Sequence, residues 1–218
     1  MIDLILSAII PPIIIAYFIF KNDLYEIEPH KLLIKTFFIG FLIVIPMVLI
    51  EIVSGMVIKN ILVYSILGIA LVEEGIKYLV LLKYNYTKED FNEPYDGIIY
   101  SVMLTMGFAL VENVMYVTGG GSDVAILRMI TTIPMHATCG IIMGYYLGKA
   151  KMEIKNTSRN KTLAITIPTL IHGLYNYFIF IEISAFSLVI LIFGVNYALK
   201  AIKIHQANSP FKKENSIH

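Results

Sequence analysis

The chain has 218 residues, of which 57% are hydrophobic and only 15% charged, and its formal net charge is +1. Soluble domains run closer to a quarter charged, and the basic residues here form no aromatic-interleaved patch, so an ordinary soluble domain and a nucleic-acid partner are both excluded. The single cysteine, Cys139, rules out a disulfide framework within the chain and reads as a small buried hydrophobe.

Apolar runs of bilayer length, about 20 residues each, recur from end to end. In chain order they fall at residues 2–20, 32–57, 61–82, 97–118, 124–148, 162–181 and 183–199. The first lacks the basic n-region and small-residue cleavage pattern of a signal peptide, so it is expected to stay as a span. The second is long and carries Pro46, which is expected to kink it. Gly119-Gly120-Gly121-Ser122 reads as a turn outside the membrane. The last two runs share a short turn at Glu182. The expected fold is therefore all-α. One polytopic transmembrane bundle of about seven spans occupies residues 1–205, and a polar cytoplasmic tail follows at 206–218.

Basic residues orient the bundle. With the N-terminus outside, Lys21, Lys31, Lys35, Lys83, Lys88, the run from Lys149 to Lys161, Lys200, Lys203, Lys212 and Lys213 fall on one side. Only Lys59 and Arg128 fall on the other. Cytoplasmic loops collect Lys and Arg, so the C-terminus is expected in the cytoplasm.

The third run contains Glu73, Glu74 and Lys77. A charge at mid-bilayer costs about 2.5–3.5 kcal/mol on insertion scales, so three of them demand a reason. At about 1.5 Å per residue, Glu112 in the fourth run, His136 in the fifth and His172 in the sixth also lie deep. Four spans thus bring ionisable groups to similar depth, and they are expected to face one polar cavity. Lys77 follows Glu73 by four residues and Glu74 by three, so it is expected to hold one carboxylate while the other faces the cavity. Asn113 follows Glu112. Arg128, near the outer boundary, reads equally as an interfacial anchor or as a carboxylate partner. Asn176 shares a face with His172 and is expected to orient it, while Gly173 lets another backbone approach.

Such a set suits hydrolysis inside a membrane. A carboxylate takes a proton from water, and His and Asn donate to the resulting oxyanion. No metal is required by this reading. The alternative is zinc held by His136, His172 and Glu112 from separate spans, since no H-E-x-x-H helix is present. A different class, a proton- or ion-coupled transporter, uses the same carboxylates as a relay, but no internal repeat supports it.

Four blocks in order carry a family resemblance. Glu73-Glu74-Gly75-Ile76-Lys77 resembles an E-E-x-x-K motif, and Phe108 to Glu112 with Asn113 and Tyr116 resembles F-x-x-x-E-N-x-x-Y. Arg128 with His136 and Gly144 forms the third block, and His172-Gly173-Leu174-Tyr175-Asn176 the fourth. Together they resemble the PrsW family of intramembrane proteases, which is similar to the CAAX prenyl proteases. The resemblance implies site-1 cleavage of a single-pass, membrane-anchored anti-sigma factor under envelope stress, in a bacterial cell membrane. It implies catalytic roles for Glu73, Glu74 and His172, with Glu112 and His136 in the same site. It leaves CAAX-type processing, or a bacteriocin-immunity role as in some relatives, as alternatives.

Overall fold

The computed structural model describes residues 2–212; Lys213 and the end of the expected tail lie outside them. The described residues contain helices and connecting turns, and no strand. Helix α1 spans Ile2–Lys21 and α2 spans His30–Val57. Asn60 then caps the next helix, its side chain accepting from Val63 N at 3.1 Å. That helix runs unbroken over residues 61–85 as α3 (Ile61–Val63), a π-helical stretch (Tyr64–Ala70), α4 (Leu71–Val80) and a second π-helical stretch (Leu81–Asn85).

Helix α5 (Pro94–Leu127) opens on a capping box between Glu93 and Asp96, with Pro94 in the first turn, where a missing N–H costs nothing. Gly121, at φ 74°, breaks its helical geometry in the expected glycine turn. A π-helical turn, Arg128–Thr132, leads into α6 (Ile133–Met152). Helices α7 (Thr157–Phe180) and α8 (Ser184–Ala207) complete the bundle, with Glu182 at positive φ between them.

The bundle is apolar on its surface as well as in its core. Helix α5 is the hub, packed most extensively on α6, α2 and α1. At the α5–α6 crossing the backbones touch: a Cβ on Gly144 would stand 2.2 Å from Gly97 O. Small residues permit this approach, which is how helices associate without a hydrophobic driving force between them. Helices α1, α2 and α8 instead turn Ile14, Leu42, Ile45, Val53 and Phe193 outward, each more than half exposed. Such an apolar coat is stable against lipid and not against water.

Five stretches are long and apolar enough to cross a membrane: Asp3–Lys21, His30–Val57, Pro94–Met152, Ile154–Phe180 and Ser184–Ala207. The count differs from the expected seven for two reasons. The fourth and fifth runs belong to one helical stretch that breaks at Gly121. The third run, although helical, carries the three charges of Glu73, Glu74 and Lys77 within a bilayer's length. The expected loop from Lys149 to Lys161 is mostly helical, since α6 continues to Met152 and α7 starts at Thr157. Helix α8 likewise passes the expected boundary at 205, and Gln206 Nε2 donates to Asn22 O at 2.7 Å, tying the start of the tail to the end of α1.

Candidate active site

Four helices place one ionisable cluster at the centre of the bundle. Helix α4 supplies Glu73, Glu74 and Lys77; α5 supplies Glu112 and Asn113; α6 supplies His136; α7 supplies His172. The π-helical stretches Tyr64–Ala70 and Arg128–Thr132 sit just before the Glu pair and just before His136. Such insertions rotate the residues that follow and are frequent at functional sites. As anticipated, Gly173 is where another backbone comes close: a Cβ there would stand 2.9 Å from Ile66 Cα, in the first of these stretches.

Lys77 is fully buried and does not choose between the two acids. Its Nζ lies 3.1 Å from Glu73 Oε2 and 3.0 Å from Glu74 Oε1, and 4.0 Å from the centre of the Phe108 ring. This corrects the expectation that one carboxylate is held and the other free. Buried carboxylates need such a partner, because an unpaired charge in this environment is costly.

The two histidines are arranged alike. His136 Nε2 lies 2.8 Å from Glu112 Oε2, and His172 Nδ1 lies 3.0 Å from Glu74 Oε1. A carboxylate only accepts, so these two nitrogens carry the protons. In the neutral rings His136 Nδ1 and His172 Nε2 then present lone pairs. Both point toward Glu73, at 4.0 Å from Oε2 and 3.9 Å from Oε1 respectively. The rings meet edge to face with centroids 5.1 Å apart. His136 Nδ1 is buried with no hydrogen-bond partner.

Behind Glu112 stands Arg128, its Nη2 at 3.0 Å from Glu112 Oε2 and its plane 4.1 Å from the Tyr116 ring. Arg128 Nε donates to Asn113 Oδ1 at 2.8 Å, and Asn113 Nδ2 donates to Ala8 O of α1 at 3.2 Å. Arg128 is therefore a buried carboxylate partner and not an interfacial anchor. Asn176 makes no hydrogen bond to His172 among the described residues; Glu74 holds that ring in its place. Cys139 is buried and free against Met135 and Pro168, as expected of a core residue.

A cavity of about 320 Å³ opens between α2 and α5, with Glu73 and Glu112 in its wall beside Met47, Phe108 and Tyr116. Glu74 does not reach it. Glu51 of α2 does, and sequence reasoning passed over it. The signal was present: the lone acid of a 28-residue helix with no other charge after Lys35 is itself a reason to ask what it faces.

One ligand atom from each of Glu73, Glu74, His136 and His172 lies within 4.8 Å of the other three. Two imidazole lone pairs and a carboxylate are a donor set that fits zinc. The carboxylates behind the imidazoles match the outer shell that orients metal-bound histidines. Glu112 is not among the four; it stands behind His136.

The fold and this centre define a class: a multi-pass helical membrane protein with acids and imidazoles gathered beside an internal cavity. Residues 28–200 match the PrsW family, described as PrsW family intramembrane metalloprotease, and the chain belongs to that family. It is similar to Protease PrsW of Oceanobacillus iheyensis, at 38% identity over 197 residues, covering 89% of this chain and 91% of the relative. Protease PrsW of Clostridioides difficile is 37% identical over 193 residues, 83% of this chain and 80% of the relative. Protease PrsW of Bacillus subtilis is 33% identical over 182 residues, 81% of this chain and 83% of the relative. No solved structure matches. The protein is thus a bacterial multi-pass membrane peptidase that works within a lipid bilayer.

Proposed function

We propose that this peptidase makes the site-1 cut in a single-pass, membrane-anchored anti-sigma factor, which leads to release of an extracytoplasmic-function sigma factor under envelope stress. The observation that supports its chemistry is Glu73, set between His136 and His172 and exposed to the cavity. The substrate segment enters between α2 and α5. Glu73 takes a proton from the attacking water. Glu73 then delivers that proton to the leaving amide, and His136 and His172, held by Glu112 and Glu74, bind the oxygen that becomes negative when their second ring nitrogens, Nδ1 and Nε2 respectively, also carry protons. Lys77 and Arg128 pair with the buried carboxylates and hold them in place. The Lys and Arg distribution supports an outside N-terminus, seven crossings and a cytoplasmic C-terminus.

A second reading is favoured by the unpartnered Nδ1 of His136. Glu73, His136 and His172 would hold zinc, which when bound supplies a Lewis acid and a more acidic water. Glu112, also in the cavity wall and held through Oε2 by His136 and Arg128, would then accept the proton at Oε1.

The test is cleavage of a tagged anti-sigma factor in cells by Glu73→Ala, Glu74→Ala and His172→Ala variants, each expected to abolish the product. Full cleavage by all three would sink the assignment. Metal analysis of purified active protein, with chelator treatment, separates the two readings: activity that survives metal removal excludes zinc.

A further inference from the structure

Away from this centre, acids crowd where the loop between α1 and α2 meets the first turn of α5. Glu26, Glu28 and Asp96 each bring one carboxylate oxygen within 4.8 Å of the other two, and Asp23 and Glu93 lie close enough to repel members of the group. Each of the three is held at one oxygen by a donor. Asn92 Nδ2 donates to Glu26 Oε1 at 3.2 Å, the Tyr100 hydroxyl donates to Glu28 Oε2, and the amides of Asn92 and Glu93 donate to Asp96 Oδ2 at 2.7 and 2.6 Å. Each also keeps one oxygen buried and without a hydrogen-bond partner: Glu26 Oε2, Glu28 Oε1 and Asp96 Oδ1. Glu28 is 1% exposed and Asp96 is 0% exposed.

Buried carboxylate oxygens without partners are costly, and a native fold leaves few of them. Here five occur together, in Glu26, Glu28 and Asp96, which donors have already oriented, and in the adjoining Asp23 and Glu93. A proton shared between Glu28 and Asp96 satisfies only part of the group. An oxygen-only set, with no imidazole or thiolate, selects a hard divalent cation over zinc.

We propose that Glu26, Glu28 and Asp96 bind a hard divalent cation, Mg²⁺ or Ca²⁺, that pins the α1–α2 loop to the start of α5. Three carboxylates leave the remaining coordination positions to water, the arrangement Mg²⁺ prefers. The ion is separate from the Glu73, His136 and His172 centre in both position and ligand chemistry. Its work is to hold the helix that carries Glu112 against its neighbours.

The experiment uses full-length protein in detergent, stripped with EDTA, at pH 7.5. Addition of MgCl₂ or CaCl₂ is expected to raise the unfolding midpoint saturably, by about 5 °C or more with the preferred ion. The Glu28→Gln, Asp96→Asn double variant is expected not to respond. Glu26→Gln alters a half-buried ligand and leaves the α5 cap intact, so it covers the case in which the double variant fails to fold. It is expected to need at least about tenfold more ion for the same shift, as loss of one charged ligand implies. Mn²⁺ binding followed by electron paramagnetic resonance reads the site without reference to stability and is expected to weaken in Glu26→Gln. A wild-type protein that neither shifts with Mg²⁺ or Ca²⁺ nor binds Mn²⁺ overturns the proposal, and so does an equal response in every variant.

Discussion

Glu74 Oε1 lies 3.0 Å from His172 Nδ1 and 3.0 Å from Lys77 Nζ, so one buried oxygen holds both an imidazole and an ammonium. Glu74 thereby fixes the proton on Nδ1 and turns Nε2 toward Glu73. Replacing Glu74 by Gln keeps the shape and removes the charge. Cleavage is expected to fall by about 10–100-fold, the usual cost of losing a carboxylate behind a functional histidine. Initial rates with a tagged substrate, alongside gel filtration to confirm folding, check this.

Lys77→Met removes the ammonium that pairs with both Glu73 and Glu74. Breaking a buried ion pair from one side costs about 3–5 kcal/mol. A large drop in the unfolding midpoint is expected, together with loss of activity. Thermal unfolding in detergent measures it; a midpoint within a degree of wild type would contradict the pairing.

Among the described residues Glu51 makes no ion pair like those of Lys77 or Arg128, and it faces the cavity from α2. Glu51→Leu is expected to raise the unfolding midpoint, because it removes an acid from the membrane interior. The same change is expected to slow cleavage, because the cavity loses its third carboxyl. Both quantities are measured on one preparation, and a rise in stability without loss of rate would make Glu51 dispensable.

Gly144→Leu puts a Cβ where only 2.2 Å separates it from Gly97 O. Helices α5 and α6 must separate, which draws Glu112 away from His136. Stability and cleavage are expected to fall together. Gly75→Ala serves as the control, since its nearest neighbour would be 4.0 Å away.

Asp23 and Glu28, in the loop outside the spans, are pushed up to about 7, chiefly by burial. In the unfolded chain such carboxyls lose their protons near about pH 4. Between these values the folded state binds more protons, so the contribution of these two carboxyls to stability falls as pH rises from about 4 to about 7. Unfolding midpoints of EDTA-treated protein at pH 5 and pH 7.5 test the sign: the lower pH is expected to give the higher midpoint.

Much of the site was readable before any coordinates. Glu73, Glu74, Glu112, His136 and His172 stand out because an ionisable side chain in an apolar run is conspicuous by itself, and their common depth follows from the helical rise. Pairing was less accessible. Lys77 was expected to take one acid and takes both, since i+3 and i+4 spacing permits either and rotamers decide. Asn176 was expected behind His172 because they share a helix face, yet the ring turns to Glu74 on another helix. Glu51 was missed because its significance depends on which side of α2 faces α5.

The amino-acid sequence by itself determined that this chain is helical, belongs in a bilayer, and carries acids and imidazoles at one depth. Those properties follow from local hydropathy and helix geometry, which each segment expresses without its neighbours. Only the tertiary structure decided that Glu73 faces both histidines, that Glu74 and Glu112 stand behind them, and that three acids at the start of α5 converge. Those relations depend on the rotation and crossing of helices, set by glycine contacts such as Gly97 with Gly144 and by π-helical turns whose effect no single segment records.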